Sequence, residues 1–408
     1  MKTVDGGVLA TGVLAPKGFT VNTASCGINS PKGSRKDLVV IDAGGTASAA
    51  GVFTTNRVRA APVVLSEDHL QTGMARAVVV NSGNANACNG EPGMADAREM
   101  AALVADGLSV PASEILVAST GVIGRPLPMD VIRDGILEAL ARQPLGPDPD
   151  AAESIMTTDT VSKTCAVRCD LDGTPAVVGG IAKGAGMICP DMATMIGVVT
   201  TDAAIAPGAL KSALNRAVGK SFNCITVDGD MSTNDTVFIL ANGAAGNPAI
   251  TQPDGDAYER FAEALEHVCT DLAKKIARDG EGATKLVEIR VRGARSDEDA
   301  RTIGMSVANS ALVKTAIYGH DPNWGRILCA VGYADAESDP DTIDLFLCGH
   351  QLTRDGQGLP LDEPAMREAL SAGEVPVEID LKLGDGAATV WTCDMSHEYV
   401  TVNAEYTT

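Results

Sequence analysis

A threonine at the end of a glycine-rich stretch has the most distinctive chemistry that this sequence offers. The stretch KGAGMICPDMATM (183–195) ends in Ala193-Thr194, a small residue followed by a hydroxyl residue. A threonine can act as a nucleophile without a histidine when its own α-amine is free to take the hydroxyl proton. Freeing that amine requires a cut before Thr194, through an N→O acyl shift. On spacing alone, the favoured interpretation is an ordinary threonine that opens the buried strand ATMIGVVTTD (193–202).

Other familiar sites are matched poorly by the sequence. The stretch GGIAKGAG (179–186) contains Lys183 but lacks the spacing and the following hydroxyl residue of a phosphate-binding loop. In DGDMSTND (228–235) oxygen-bearing side chains alternate as in a calcium loop. However, Thr233 stands where such a loop needs glycine and Ile239 where it needs glutamate. We therefore predict no metal site and interpret 228–235 as a turn with Asx-type hydrogen bonds.

The histidines offer no clear catalytic triad. They are far apart along the chain, and only His320, in YGHDPNWG, lies in a turn-like segment: His69, His267, His320, His350 and His397. A Ser/His/Asp triad also needs a third group that holds the histidine in place. The sequence shows no such partner, so the triad has no support beyond the presence of its residue types.

These residues would be positioned by a mixture of strands and helices. Runs rich in β-branched residues and bounded by turn residues predict strands at 37–43, 60–66, 76–82 and 115–119. Apolar residues at helical spacing predict helices at 94–107, 131–142, 208–219 and 256–278. The segment 143–152 is typical of a linker within a lobe.

Strict alternation of apolar and charged residues predicts two further strands, 287–291 and 377–383. Strands of this kind have one buried and one polar face, which is typical of antiparallel sheets covered on one side by helices. The sequence therefore predicts an α/β protein of α+β type, with mixed or mainly antiparallel sheets packed against helices.

The composition of the chain disfavours two classes of binding partner. The 408 residues include 32 Lys and Arg against 53 Asp and Glu, a net charge of −21, and only 3% are aromatic. Such a balance disfavours nucleic acid and anionic membranes as partners. No apolar run reaches the roughly 18 residues of a membrane helix. The ten cysteines form no CxxC pair and are predicted to be reduced, mostly buried thiols of a cytoplasmic protein.

Eight segments, in order and nearly end to end, together resemble the ornithine acetyltransferase family of arginine biosynthesis. They are NSGNANACNG (81–90), STGVIGRPLPM (119–129), IMTTDT (155–160), KGAGMICPDMATMIGVVTTDA (183–203), ITVDGDMSTNDT (225–236), DGEGATK (279–285), LVKTAIYGHDPNWGR (312–326) and NAEYTT (403–408). Each motif is weak alone, whereas the ordered set is specific.

The resemblance implies a precursor that cuts itself between Ala193 and Thr194. Thr194 then attacks the acetyl carbonyl of N-acetylornithine, ornithine leaves, and glutamate collects the acetyl group from the acetyl-Thr ester. The Thr120 hydroxyl and the Gly121 backbone N–H would form the oxyanion hole. Glycine is the residue that lets a backbone approach a ligand closely, so the residue type at 121 agrees with this role.

The resemblance also implies residues that bind the substrates. These are Thr157, Lys183, Glu281, Asn403 and Thr408, together with Thr194. Glu281 would be the partner of an ammonium group, whereas the other residues supply hydrogen-bond donors, which a carboxylate needs.

The family pattern further implies a two-lobed enzyme whose site lies between the lobes and is built from both cleavage products. These are an α chain (1–193), expected to form the N-terminal lobe with the oxyanion hole, and a β chain (194–408), expected to form the C-terminal lobe with the nucleophile at its start. Two of each are expected to assemble. No cofactor is expected, although acetyl-CoA stays open as a further acetyl donor. Two rivals stay open as well. One is an aminopeptidase-type relative that transfers the acyl group to water, and the other is an uncut amino-acid-binding protein.

Overall fold

The computed structural model describes residues 12–141, 151–189 and 195–405. Ala193, Thr194 and Thr408, and nearly all of the predicted linker 143–152, lie outside the described residues.

The strands form two sheets. Within the described residues the larger sheet contains β1 (Thr20–Ala24), β2 (Leu38–Phe53), β3 (Met74–Asn84), β4 (Ile115–Val122), β5 (Lys163–Leu171), β6 (Thr174–Lys183), β7 (Ile196–Thr201) and β8 (Thr236–Ala241). The smaller sheet contains β9 (Leu286–Ala294), β10 (Asp344–Leu347), β11 (His350–Arg354), β12 (Gln357–Gly358), β13 (Glu374–Asp380) and β14 (Gly386–Cys393).

Helices cover these sheets. They are α1 (Ala61–His69), α2 (Gly90–Leu108), α3 (Met129–Ala141), α4 (Ala151–Ser154), α5 (Pro207–Gly219), α6 (Asp256–Arg278), α7 (Asp297–Asn309), α8 (Ala311–Tyr318), α9 (Trp324–Gly332), α10 (Glu363–Ala369) and α11 (His397–Glu405). The predicted helices at 94–107, 131–142, 208–219 and 256–278 correspond to α2, α3, α5 and α6, and the bounds of α6 agree with the prediction.

The larger sheet has the strand order β4-β3-β2-β8-β7-β6-β5, and β1 pairs with the first half of β2. Its residues alternate between separate cores. Val40 packs with α2 and α3, whereas its neighbour Ile41 packs in an inner core with Val198 of β7. Val199 faces the opposite way, into a core with α5 and α6. The two halves of the sheet are therefore stacked on each other, with a helical layer outside each half.

Burial on both faces explains why the strands of the larger sheet read as continuous apolar runs. Such runs are typical of strands that are covered on both sides. The smaller sheet shows the predicted alternation instead. Val287, Ile289 and Val291 pack against helices, while Arg290 pairs across the outer face with Glu378 at 3.1 Å. The α/β fold with mixed, mainly antiparallel sheets is confirmed.

The predicted strand at 60–66 is wrong, because this segment forms α1. Pro62 lies in the first turn of that helix, where its fixed φ suits the helix and its missing N–H costs nothing. A proline inside a paired strand would instead remove a ladder hydrogen bond. The run APVVL is too short for its periodicity to separate the two structures.

The predicted cut between residues 193 and 194 does not coincide with a boundary between sheets. β7 and β8 follow this position in the chain, yet both belong to the larger sheet with strands that precede it. The two sheets meet further along, where α6 packs on the larger sheet and β9 opens the smaller one. The change from the larger to the smaller sheet therefore falls between β8 and β9, and not between residues 193 and 194. The division into the two chains stays a prediction.

Two expectations from composition concern cysteines and membranes. Cys165 and Cys169 are buried, and burial raises the pKa of both thiols to about 12. Among the described residues, no helix combines the length and the hydropathy that crossing a membrane demands.

Candidate active site

The predicted site residues gather at one edge of the larger sheet. β6 runs antiparallel to β7, and β7 runs parallel to β8. The end of β6, at Lys183, therefore lies beside the starts of β7 and β8. Thr120, near the end of β4, reaches the same place, since its Oγ1 lies 3.3 Å from Lys183 Nζ. Strand order and direction thus bring together residues that are far apart in sequence.

A cavity of about 110 Å³ opens at this edge. It is lined by Ala85, Thr120, Gly121, Ile123, Thr157, Thr158, Lys183, Gly186, Met187, Asp228, Asp230, Ser232, Asn234, Glu281, Tyr399 and Asn403. These residues come from both sides of the predicted cut, so either predicted chain alone would supply only part of the cavity wall.

Lys183 is the cation at the centre of the cavity wall. Its side chain is buried, and Nζ donates to Thr157 Oγ1 at 2.8 Å and to Thr120 Oγ1 at 3.3 Å. Burial lowers the pKa of Lys183, an effect opposed by the negative charge of Asp159. A hydroxyl has one hydrogen and two lone pairs. Because both threonine oxygens accept from Lys183, their own hydrogens stay available for another acceptor in the cavity.

Gly121 lies opposite Gly83 in the pairing of β4 with β3. Its φ is +132°, and a Cβ at this position would overlap the backbone of Gly83 and Asn84. A side chain is therefore excluded on both conformational and steric grounds. The residue also lines the cavity, so its backbone rather than a side chain forms that part of the wall.

Glu281 enters the cavity from the loop that follows α6. Its amide N donates to the Ala185 carbonyl at 2.8 Å, which ties this loop to the glycine-rich segment after β6. A Cβ at Gly186 would collide with the Glu281 carboxylate, so the glycine makes room for it. Asn403 Nδ2, from α11, donates to Glu281 Oε2 at 2.8 Å. The carboxylate is thus held between the glycine-rich segment and the last helix.

A buried ion-pair cluster lies next to Lys183. Lys163 Nζ contacts Asp159 Oδ1 at 2.7 Å and Asp279 Oδ2 at 2.6 Å. Asp159 also accepts the amide N–H of Gly184 at 2.6 Å. Burial alone would raise the pKa of Asp159, but the charges of Lys183 and Lys163 and the Gly184 N–H together lower it. We call Asp159, Lys163 and Asp279 the Lys163 cluster.

Asn234 and Asp235 immediately precede β8, and their side chains contact the backbone of neighbouring segments at this edge of the sheet. Asn234 Nδ2 donates to the carbonyl oxygens of Ser119 at 2.8 Å and Ala85 at 2.6 Å. Asp235 Oδ1 accepts the amide N–H of Met195 at 2.9 Å, and its Oδ2 has no hydrogen-bond partner among the described residues. Burial raises the pKa of Asp235 well above its usual range.

Comparison with known proteins gives a consistent result. The ArgJ family model matches residues 20–408 of the chain. The arginine biosynthesis bifunctional protein ArgJ of Symbiobacterium thermophilum is 50% identical over 400 residues, covering 98% of this chain and 99% of that protein. The protein of the same name from Geobacter sulfurreducens is 50% identical over 393 residues, covering 96% and 99%. The crystal structure of ArgJ from Bacillus halodurans is 43% identical, with a TM-score of 0.49, and covers 51% of this chain and 97% of that chain.

The chain belongs to the ArgJ family. This membership confirms the resemblance drawn from the eight motifs.

Most of the predicted site residues of this ArgJ family member line the cavity described above. Those that line it are Thr120, Gly121, Thr157, Lys183, Glu281 and Asn403. Those outside the described residues are Ala193, Thr194 and Thr408. The predicted turn at 228–235 is confirmed, because Asp228 Oδ1 accepts the amide N–H of Asp230 at 3.2 Å in an Asx-type bond.

Sequence reasoning on this ArgJ family member missed several polar residues at the site. Asp159, Asn234 and Asp235 lay inside quoted motifs but were given no individual role. The available signal was the position of each polar residue inside a motif, next to residues that become buried in the folded protein. Lys163 carried no such signal, because a lysine at the start of a strand is usually solvated. Its partner Asp279 is 116 positions away in sequence, and only the folded chain brings the two together.

Proposed function

We propose that this protein transfers the acetyl group of N2-acetyl-L-ornithine to L-glutamate, giving L-ornithine and N-acetyl-L-glutamate for arginine biosynthesis. The observation that carries the proposal is the contact chain Thr120–Lys183–Thr157 inside a cavity that also holds Glu281 and Asn403. This set combines donors for a developing oxyanion, donors for a carboxylate and an acceptor for an ammonium group.

The proposed maturation cuts the chain between Ala193 and Thr194. The Thr194 hydroxyl oxygen attacks the Ala193 carbonyl carbon, the peptide C–N bond breaks, and the nitrogen takes a proton to become a free amine. Water then hydrolyses the resulting ester. The new α-amine has a reference pKa of about 7.7–8.0, which suits a base that works near neutral pH. Within the described residues no histidine lines the cavity, which supports this amine as the base.

The proposed transfer has two half-reactions. The Thr194 oxygen bonds to the acetyl carbon, the amide C–N bond breaks, and ornithine leaves with the proton that the hydroxyl gave up. The glutamate amine then attacks the acetyl-Thr ester, and the Thr194 oxygen regains a proton. In both steps negative charge develops on the acetyl oxygen. The Thr120 hydroxyl hydrogen and the Gly121 N–H are proposed as its donors. Lys183 holds Thr120 in place by donating a hydrogen bond to its Oγ1.

The remaining assignments complete the proposal. Thr157, Lys183, Glu281, Asn403 and Thr408 bind the substrates, the chains 1–193 and 194–408 stay associated as two of each, and no cofactor is needed. We place the enzyme in the cytoplasm. Acetyl-CoA is proposed as a second acetyl donor, since the curated relatives are named bifunctional.

Maturation is tested on a denaturing gel with N-terminal sequencing of the bands. The wild-type protein should give two bands, one of which begins at Thr194. Thr194→Ala should remain one band near 41.9 kDa, because no side-chain nucleophile is left. Thr201→Ala, at the far end of β7, is the matched control and should be cut normally. A Thr194→Ala protein that is still cut at 193/194 would contradict the proposal.

Transfer is tested by measuring ornithine release from N-acetylornithine with and without glutamate. A transferase gives sustained release only with glutamate, whereas an aminopeptidase-type enzyme releases ornithine equally without it. A protein that binds amino acids but stays uncut and releases no ornithine would support the noncatalytic alternative. Replacing N-acetylornithine with acetyl-CoA in the same assay tests the second donor.

A further inference from the structure

Two adjacent residues contact the two strands that carry the proposed chemistry. Asn234 and Asp235 stand just before β8, in the segment STNDT (232–236), and both are buried. One of them contacts the strand that leads to Thr120, and the other contacts the residue that follows Thr194. A single short segment therefore reaches both halves of the proposed reaction centre.

Asn234 holds the oxyanion side. Its Nδ2 donates to the Ser119 carbonyl, which belongs to the peptide unit that links Ser119 to Thr120. The second hydrogen of the same amide goes to the Ala85 carbonyl, in the loop after β3. Both hydrogens of one amide are thus used to fix the backbone at the point where Thr120 begins.

Asp235 holds the nucleophile side. Its Oδ1 accepts the amide N–H of Met195 at 2.9 Å, and that nitrogen is covalently bonded to the carbonyl carbon of residue 194. The Met195 carbonyl in turn accepts the amide N–H of Thr236 at 3.1 Å. The residue after the proposed nucleophile is therefore held on both of its backbone polar groups by consecutive residues.

The segment is itself fixed on its other side. The carbonyl of Thr233 accepts the amide N–H of Ala60 at 2.9 Å, and the carbonyl of Asp235 accepts that of Thr54 at 3.0 Å. Asn234 also donates its own amide N–H to Ser232 Oγ at 3.1 Å. With this anchoring, a shift of either strand relative to the other would break bonds to buried groups.

We propose that Asn234 and Asp235 act as a pair of positioning residues that fix Met195, the residue bonded to Thr194, relative to the strand end that carries the oxyanion donors Thr120 and Gly121. The inference rests on the proposed function. It adds to that function the groups that hold the reacting atoms in register. Misplacing a reacting group by about 1 Å is enough to cost about 10²-fold in rate, so such a pair acts on kcat rather than on binding.

The test compares isosteric and conservative variants. Asn234→Leu and Asp235→Leu remove the hydrogen-bonding groups at similar volume, whereas Asp235→Asn keeps an oxygen that accepts the Met195 N–H. Asp202→Leu is the matched control. Asp202 is equally buried at the far end of β7, and its carboxylate accepts the amide N–H of Val177 at 2.7 Å. The rate of cleavage, kcat and KM for acetyl exchange, and thermal unfolding are measured for each protein.

We expect Asn234→Leu and Asp235→Leu to slow self-cleavage and to lower kcat by about 10²-fold, with little change in KM. The double variant should be close to the single variants, because losing either contact already releases the separation. Asp235→Asn should stay within a few-fold of wild type. Asp202→Leu should lose thermal stability but keep its cleavage rate and kcat. If the leucine variants do not fold, Asn234→Gln moves the amide by one methylene and should show the same loss of kcat.

Other results would overturn the inference. Leucine variants with wild-type kcat, an effect confined to KM, or an equal loss of kcat in Asp202→Leu would each show that the pair has no special positioning role. If Asp235→Asn folds normally but loses cleavage and kcat, the reaction requires the carboxyl group itself and not a positioning contact. A wild-type protein that is not cut at 193/194 would overturn the proposed function and, with it, this inference.

Discussion

Lys163 and Lys183 are two buried lysines at the same edge of the larger sheet, yet their surroundings differ. They are neighbours across the β5–β6 pairing, in which Lys163 faces Ala182. Lys163 contacts two carboxylates, at 2.7 Å and 2.6 Å. Lys183 contacts two hydroxyls, at 2.8 Å and 3.3 Å, and within the described parts of the chain its ammonium group has no carboxylate within ion-pair distance.

This difference separates a structural cation from one that is available to a ligand. A buried charge is tolerated when it is paired and hydrogen-bonded, which describes the Lys163 cluster. Lys183 instead contacts only hydroxyls among the described residues, where two of its three donors have acceptors, and the Asp159 carboxylate compensates its charge from a longer distance. Under the proposed function, the third donor meets a substrate carboxylate. Loss of Lys163 would therefore leave two buried carboxylates without their contacting cation, whereas loss of Lys183 would leave two hydroxyls.

The largest expected effect is on stability, and it contrasts the two lysines directly. Lys163→Met leaves Asp159 and Asp279 buried without their shared cation, so the free energy of unfolding should fall by about 3–5 kcal/mol. Lys183→Met removes a charge that contacts no carboxylate among the described residues but still favours the Asp159 carboxylate, so the free energy of unfolding should fall by less than in Lys163→Met. Urea unfolding of both variants measures this, and equal losses would show that the two environments are energetically alike.

The next effect concerns the hydroxyls bonded to each cluster. Thr120→Ala removes a donor that acts on the developing oxyanion, so kcat should fall on the order of 10²–10³-fold with a smaller change in KM. Thr160, whose hydroxyl bonds to Asp279 in the Lys163 cluster, supplies the control. Thr160→Ala should leave kcat near wild type. Steady-state acetyl exchange measures both, and a Thr120→Ala effect on KM alone would assign this hydroxyl to substrate binding.

A smaller effect is expected for Lys183→Met on substrate use. Losing one charge-assisted hydrogen bond to a substrate carboxylate costs about 1.5–3 kcal/mol, or roughly 10- to 100-fold in kcat/KM. Lys211→Met removes an exposed lysine on α5 and serves as the control for the loss of one positive charge. Acetyl exchange at varied substrate concentration distinguishes the two. An unchanged kcat/KM in Lys183→Met would remove Lys183 from the binding site.

The smallest effect concerns pH and contrasts Asp159 with Asp235. The folded protein lowers the pKa of Asp159, so its contribution to stability is full above about pH 4 and is lost as the pH falls through the folded pKa. Asp159→Asn should therefore lose less stability on acidification than wild type. Asp235 has the opposite shift, so its carboxyl ionises first in the unfolded protein. Stability therefore falls as the pH rises from about 4 towards the pKa of the folded protein. Asp235→Asn should change the slope in the opposite direction, as measured by urea unfolding between about pH 3 and about pH 7. Slopes of the same sign would refute the contrast.

The sequence predicted the regular elements well where the pattern was long. The apolar stripe of α6 runs over 23 residues, and strict alternation marked β9 and β13. The pattern failed at α1, where five apolar residues around Pro62 fit a strand as well as a helix. A short run leaves the period undetermined, and the choice then depends on what packs against it.

Local chemistry and motif order are what the sequence by itself determined. Through the family resemblance it implied roles for Thr120, Gly121, Lys183 and Glu281, since each lies in a motif that carries that resemblance. Contacts between distant segments were decided only by the tertiary structure. The contacts of Lys163 with Asp279, of Asp235 with Met195 and of Asn234 with Ser119 join positions separated by 40 to 116 residues. Hydrogen bonds and ion pairs depend on distance in space, and the stacking of the sheet, which no local pattern encodes, sets that distance.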